Sequence, residues 1–260
     1  MSTPSSYPCV AHEIQAALTY ALPNPHGTPH RARLIHPGST TLRSNYVPDV
    51  RSVRIQDIRG REGHFSLDTN GFEFIVHPTA ESFGDDLSIR ENYYEEMRQL
   101  VMEHTGAHSE PAFIVHTDRT PDSVIEEVKK YLGEESERLL QGRVRFINAW
   151  RPIEHTVHHE PLAIVDWQTS SNFTRLFPLE VDPNASQGVG YNVLLPRFNA
   201  NHSWYFLRHQ NPSEVLMMKF YDSDTDGIAN YCLHSSFRDL GCHVDAPRRR
   251  SIEVNMLVFG

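Results

Sequence analysis

Cysteine is scarce: Cys9, Cys232 and Cys242 are the only three in 260 residues. So sparse and odd a set builds no disulfide framework and predicts a reducing, cytoplasmic setting. There is no excess of basic charge either. Lys and Arg number 24 against 33 Asp and Glu, a formal net charge of −9, which argues against nucleic acid or an anionic membrane as partner. No apolar run approaches the ~18 residues of a membrane span. The opening residues lack both the basic and the apolar region of a secretory leader, so an unexported chain is expected. Without a leader the sequons at Asn172, Asn184 and Asn201 carry little weight. There is no Walker A loop, no dinucleotide glycine fingerprint, no Gly-x-Ser-x-Gly elbow and no Cys-x-x-Cys pair, so nothing points to those chemistries.

What is present begins with a core. Hydrophobic residues make up 39% and aromatics 10%, enough to exclude wholesale disorder. Residues 1–50, rich in Pro, Ser, Thr and His, predict an irregular N-terminal arm draped over a single domain at 51–260. Within that domain Val53–Ile58 alternates like a half-buried strand. The segments 64–68 and 72–76 flank Thr69-Asn70-Gly71 and predict a hairpin. Ser88-Ile-Arg-Glu91 reads as a capping box opening a helix to about Glu103, with Ile89, Tyr93, Met97, Leu100 and Val101 on its apolar stripe. A second helix is expected from Pro121, interrupted at Gly133 and resumed over 134–140. Strands are expected at 144–150, 162–167, 191–195, 203–207, 215–221 and 252–259. Many short strands with a few helices predict a mainly β sandwich or barrel with helices packed outside one sheet.

The other conspicuous feature is 16 histidines, which invite metal chemistry and also produce metal-like motifs by chance. His116-Thr117-Asp118 follows the apolar run Ala112–Val115. On a strand, residues i and i+2 share a face, so an imidazole and a carboxylate would reach one cation together. A distant histidine would complete a 2-His-1-carboxylate facial triad, the donor set of non-haem Fe(II) oxygenases. About one His-x-Asp is expected by chance in such a composition, and a polar strand end explains it equally well. A second copy, His243-Val244-Asp245, has no histidine after it to serve as the distal ligand. The distal candidates for the first copy are His155, His158, His159, His202, His209, His234 and His243. His234 stands out because Arg249-Arg250-Ser251 follows it. Jelly-roll oxygenases that use 2-oxoglutarate place an arginine shortly after the distal histidine, where its planar fork matches a carboxylate. Arg249, Ser251, Glu253 and Asn255 would share a cavity-lining face, with Ile252, Val254 and Met256 packing outward. A solvated basic run is the plainer reading. His155-x-x-x-His159 would suit zinc on a helix, but Pro152 and Pro161 predict a loop. Asp222-Ser-Asp224-Thr-Asp226-Gly227 imitates a calcium loop, yet Leu233 stands where a bidentate Glu is required, so an acidic turn is expected.

Over residues 50–260 the sequence resembles the fungal hydroxylase/desaturase family that includes the gibberellin desaturase and aspergillic-acid-type hydroxylases. The resemblance rests on Val53–Gly60, Phe65-Ser-Leu-Asp68 with Gly71-Phe72, Tyr93-Tyr94-Glu95, His116-Thr-Asp118 and Asn148-Ala-Trp150-Arg151-Pro152. It continues through Pro161-Leu-Ala163 with Asp166, Trp204-Tyr205-Phe206, Phe220-Tyr-Asp-Ser223, His234-Ser-Ser-Phe237 and Ala246–Val254. It implies a double-stranded β-helix (jelly-roll, cupin-like) with flanking helices, using Fe(II), 2-oxoglutarate and O2. It implies His116, Asp118 and His234 as iron ligands, Arg249 and Ser251 at the distal carboxylate of 2-oxoglutarate, and Asn148 and Arg151 near the cosubstrate. Cys232-Leu233 before the distal histidine, and the basic Arg250, depart from the family pattern.

The expected activity is an oxygenase that hydroxylates, desaturates or oxidatively cyclises a small secondary metabolite, such as an amino-acid-derived compound. Tyr93, Tyr94, Trp204, Tyr205 and Phe206 are candidate substrate contacts, although core packing accounts for aromatic residues equally well. The competing readings are a cosubstrate-free iron oxidase, a non-oxidative cupin-type metalloenzyme and a non-catalytic jelly-roll binding module. The Arg249-x-Ser251 pair favours the 2-oxoglutarate enzyme over all three. The sequence does not fix the oligomeric state.

Overall fold

A computed structural model describes residues 12–25, 28, 30–34, 42–101, 106–107, 115–170, 176–181, 192–241 and 245–260. Cys9, Cys242, His243, Asn172, Asn184, the helix end at 102–103 and most of the run before Val115 lie outside these residues. Fourteen strands are described: β1 (Glu13–Leu22), β2 (His30–Leu34), β3 (Leu42–Ser44), β4 (Val47–Asp57), β5 (Phe72–Val76), β6 (Gly106–Ala107), β7 (Val144–Pro152), β8 (Leu162–Val165), β9 (Leu176–Val181), β10 (Asn192–Pro196), β11 (Trp204–Phe206), β12 (Glu214–Asp222), β13 (His234–Ser236) and β14 (Ser251–Phe259). They form two five-stranded sheets, ordered β1-β4-β11-β8-β13 and β5-β12-β7-β14-β6, and a four-stranded sheet ordered β10-β9-β2-β3. Pairing is antiparallel except for β11 with β4 and β2 with β9. The sheets curl into a nearly closed jelly roll, the architecture expected from the sequence.

Alternation along each strand decides what faces the space between the two large sheets. On β7, Val144, Phe146 and Trp150 join Leu216, Met218 and Phe220 of β12 and Ile164 of β8 in an inter-sheet core. Ile147 and Ala149 of β7 point the other way, as do Ile252, Val254 and Met256 of β14, and pack against Ile89, Tyr93 and Met97. Those last three residues come from a π-helical turn, Ile89–Tyr93, continued by a helix, Tyr94–Val101. At ~1.5–3 kcal/mol per buried large apolar side chain, this layer fixes the helix on the outside of the sheet. The expected split of β14 into a polar inner face and an apolar outer face is therefore observed.

Several local expectations need correction. The N-terminal arm is not irregular at 13–22: β1 pairs over its whole length with β4. Its alternation of buried residues, Ala16, Leu18 and Tyr20, is diluted by a polar, Pro-rich neighbourhood. The 64–76 hairpin does not form. Ser66 caps a short helical turn over Leu67–Asn70, and Gly71 takes the left-handed φ of 84° as its C-cap, an ordinary alternative use of Asn-Gly. A β-carbon on Gly71 would meet the Tyr231 carbonyl oxygen at 2.8 Å. β5 then pairs with β12 instead. The first long helix starts before Ser88, whose amide donates to Asp85 Oδ2 at 2.9 Å, so Ser88 does not cap it. The helix at Pro121–Leu132 does begin as expected, with a Thr120–Ser123 capping box, and Gly133 ends it at φ 53°.

The acidic turn after β12 is held by ion pairs. Asp222 and Lys219 are both fully buried, with Lys219 Nζ 2.7 Å from Asp222 Oδ2. Lys219 also pairs with Asp68, and Arg143 Nη2 lies 2.6 Å from Asp222 Oδ2. Burial opposes the charge on Asp222, but the bonds from Arg143 and Lys219 hold its carboxyl below the ordinary range. Its stabilising effect is thus complete above the unfolded carboxylate pKa of ~3.9 and is lost as pH falls through the lower folded value. Asp222→Asn leaves a buried ammonium short of countercharge and should cost about 3–5 kcal/mol in urea unfolding at pH 7. The deficit relative to wild type should shrink when the measurement is repeated near pH 3.

Candidate metal and cosubstrate site

The site is built on a two-residue antiparallel bridge. The His116 amide donates to the His234 carbonyl at 3.0 Å, and the His234 amide to the His116 carbonyl at 2.9 Å. Directly opposed residues project their side chains to the same face, so both imidazoles enter the inter-sheet space, with ring centroids 4.3 Å apart. Asp118, two residues on, turns back beside them. Its Oδ1 lies 3.1 Å from His116 Nε2 and 3.9 Å from His234 Nε2. One donor atom from each of the three lies within 4.8 Å of the others, and no other such group exists among the described residues.

The surroundings prepare these side chains as ligands. His234 stacks on Phe220 at 5.1 Å and 15°. Its Nδ1 lies 3.3 Å from the Cys232 carbonyl, a bond that puts the ring proton on Nδ1 and leaves Nε2 with its lone pair. Burial, followed by the neighbouring His116, lowers the pKa of His234 to about 4, so the ring is neutral near pH 7. For Asp118, burial opposes ionisation but is outweighed by the His116 hydrogen bond and the adjacent His234, His116 and Arg119 charges. The carboxyl is held well below its usual range. Arg119 is itself placed by Glu127 at 3.0 Å and donates to the Asp118 carbonyl at 2.8 Å. Two imidazoles and one carboxylate are the donor set a divalent iron accepts with coordination positions to spare.

Arg249 lies beyond the triad along the same inter-sheet space. Its guanidinium carbon sits 5.2 Å from the Trp150 ring centroid. Nη1 donates to Ser236 Oγ at 3.0 Å and to the Glu160 carbonyl at 2.5 Å. Nε is buried and has no partner among the described residues. Burial lowers the pKa of Arg249 to about 10, which leaves it charged at neutral pH. A buried cation with an unmet donor fits a carboxylate ligand. Asn148 is fully buried on β7, two residues before Trp150, its Nδ2 donating to Asn255 Oδ1 at 2.8 Å and to Glu253 Oε2 at 3.3 Å. Ser251 opens β14 opposite Pro152 and is half-buried. The hydroxyl found on Arg249 is that of Ser236, two residues after His234, which the sequence reading missed. Its alternation with His234 on one strand face was the available signal.

Other expected residues land elsewhere. Arg151 alternates with Trp150 and so faces away from the inter-sheet space. It is fully buried under the outer helix, donating to the Pro212 carbonyl at 2.9 Å and lying 5.4 Å from the Tyr93 ring centroid. Arg151 therefore does not share the inner face with Arg249. Tyr93 and Tyr94 belong to the same outer layer. Trp204 and Phe206 pack on the opposite face of their sheet from His234, with Leu18, Tyr20 and Phe237, and Trp204 Nε1 donates to Tyr20 Oη at 3.1 Å. Of the five aromatic candidates only Tyr205 shares the inner face, packed against Phe65 and Phe72.

Comparison with known proteins agrees with this geometry. The chain matches the family described as oxidoreductase/YMDC permease-like domain over residues 18–109 and 107–259. The hydroxylase/desaturase efuI of Hormonema carpetanum is 30% identical over 85% of this chain and 86% of its own length. The Fe(II)/2-oxoglutarate-dependent dioxygenase nvfI of Aspergillus novofumigatus is 31% identical over 86% of this chain and 88% of its own. The chain belongs to this dioxygenase and hydroxylase/desaturase family. A solved structure of the iron and alpha-ketoglutarate-dependent endoperoxidase NvfI superposes with a TM-score of 0.80 at 26% identity, covering 96% of this chain and 98% of that one. Membership of the dioxygenase family accounts for a polar triad inside an otherwise apolar jelly roll. No helix among the described residues is long and apolar enough to cross a membrane.

The tautomer and charge of His234 can be read directly. Ring nitrogen NMR of the metal-free protein should show His234 protonated on Nδ1 and neutral at pH 6, charging only towards about pH 4. A ring half-charged at pH 6.5 would contradict the hydrogen bond and the burial described above.

Proposed function

We propose that this chain is a non-haem Fe(II)/2-oxoglutarate-dependent oxygenase acting on a small secondary-metabolite substrate. The observation that carries the proposal is the convergence of His116, Asp118 and His234, with donor atoms within 4.8 Å of one another. His116 and His234 would hold iron through Nε2, and Asp118 through a carboxylate oxygen. Arg249 would hold the distal carboxylate of 2-oxoglutarate, with Ser236 and Ser251 near it. Iron with 2-oxoglutarate and O2 bound supplies carbon–hydrogen oxidation, coupled to decarboxylation of the oxoacid to succinate.

The chain's own contribution is orientation and exclusion of water. The Cys232 carbonyl holds the tautomer of His234, and Phe220 fixes its plane. Trp150 and Ser236 fix the plane of Arg249. Ile164, Phe220 and Trp150 form dry walls in which a charged carboxylate–guanidinium contact is stronger than in water. Asn148, Asn255 and Glu253 place hydrogen-bonding groups on the same wall. Relatives named for hydroxylation, desaturation and endoperoxidation share the fold, so the product is decided by which substrate atom is presented to the metal. The reading includes a cytoplasmic location, to which the buried free thiol of Cys232 is suited, and residues 51–260 as the catalytic domain with β1–β3 built into it.

Anaerobic absorption titration tests the proposal. Fe(II) followed by 2-oxoglutarate should produce a weak visible charge-transfer band only when both are present. His116→Ala and Asp118→Ala should abolish it while leaving the circular dichroism spectrum unchanged. Arg249→Ala should retain iron and weaken 2-oxoglutarate about 10- to 100-fold, the worth of a charged hydrogen-bonded pair. Iron binding without a band would favour a cosubstrate-free oxidase. No iron binding would overturn the triad.

A further inference from the structure

The loop between β7 and β8 grips three consecutive arginines. The Ile153 amide donates to the Arg250 carbonyl at 3.0 Å. His155 Nε2 donates to the Arg248 carbonyl at 2.9 Å. The Glu160 carbonyl accepts from Arg249 Nη1, and Glu154 pairs with Arg250. The strap is tied to the body of the domain by Val157, which is buried in the inter-sheet core and donates its amide to the Gln210 carbonyl at 2.9 Å. Two of its non-glycine residues sit in the left-handed region, Glu154 at φ 66° and Glu160 at φ 54°. Backbone of that kind persists only where surrounding structure holds it, and it clusters at functional sites. Pro161 follows directly, so the carbonyl of Glu160 is fixed on both sides.

We propose that this strap is a positioning device for the cosubstrate, its working group being the main-chain carbonyl of Glu160 acting together with Ser236 Oγ. This rests on the reading of Arg249 as the 2-oxoglutarate anchor. Both acceptors take the same nitrogen, Nη1, while Trp150 covers a face of the guanidinium plane. Rotation of the guanidinium plane about the Cδ–Nε bond is thereby restrained, and the edge bearing the unpaired Nε is left for the incoming carboxylate. Glu160 and Ser236 are positioning residues, since neither needs to touch the ligand. The Glu160 carboxylate adds negative charge near Arg249, but the positioning role assigned here belongs to the backbone.

The test is calorimetric titration of 2-oxoglutarate into the full chain loaded with Mn(II), which needs no turnover. Glu160→Gly, free to adopt a positive φ, should bind within about twofold of wild type. Glu160→Val, which disfavours that φ, should swing the carbonyl away and bind about tenfold more weakly. Ser236→Ala should bind about fivefold more weakly. Mn(II) affinity, read by electron paramagnetic resonance, should be unchanged in all three. Equal weakening by Gly and Val would assign the effect to the side chain and overturn the proposal, as would wild-type affinity in both Glu160→Val and Ser236→Ala. If Glu160→Val fails to fold, Ser236→Ala alone decides. Arg249→Ala separates the two levels. If it binds 2-oxoglutarate like wild type, the anchor itself is misplaced. If it binds weakly while the strap variants bind normally, only the strap fails.

Discussion

Everything at the site depends on one pair of peptide hydrogen bonds, those joining His116 and His234. A single bridge couples a segment that is otherwise loop to the edge strand β13, and in doing so aims two imidazoles from distant parts of the chain at one point. Neighbouring residues extend the same stitch: the Val115 amide donates to the Thr19 carbonyl at 2.8 Å, and Thr117 exchanges bonds with Leu194. Three residues thus connect β13, β1 and β10. The closure of the jelly roll and the assembly of the donor set are the same structural event.

Around that point the sheets divide labour by alternation. Inner positions of β7 and β14 carry Asn148, Trp150, Glu253 and Asn255. Outer positions carry the apolar residues that hold the helix. The same rule places Ser236 beside Arg249 and Arg151 away from it. Polar groups on the inside are costly unless satisfied. Most here are bonded to one another; Arg249 Nε and Asn148 Oδ1 are buried without a partner among the described residues, and Arg249 Nε lies where a ligand carboxylate is proposed.

Strand alternation and helix signals were legible in the sequence wherever they were strong: β7, β12, β14 and the Pro121 helix all form near their expected bounds. The His-x-Asp pair was visible as chemistry, and Arg249 made His234 the preferred distal partner. What was illegible follows from physics that short windows do not carry. β13 is only three residues long and has no period of its own. The N-terminal strand is hidden by its Pro- and Ser-rich flanks. Asn70-Gly71 serves a helix C-cap as readily as a hairpin, and only the approach of Tyr231 decides between them. The aromatic block at 204–206 reads the same on either face of a sheet, so its division between two cores required the register of β11 with β8.

The parallel pairing of β11 with β4 has a kinetic consequence. Parallel partners cannot be joined by a tight turn, and β4 ends at Asp57 while β11 begins at Trp204. β8 docks on β11 and β13 on β8, so the sheet that carries His234 cannot be completed by local zippering. Topologies dominated by such distant pairings fold slowly, because chain-closure entropy is spent before the contacts that offset it are made. The metal ligands would therefore come together late, as the jelly roll closes. A redox-active ion would meet its full donor set only once the distant strands have paired.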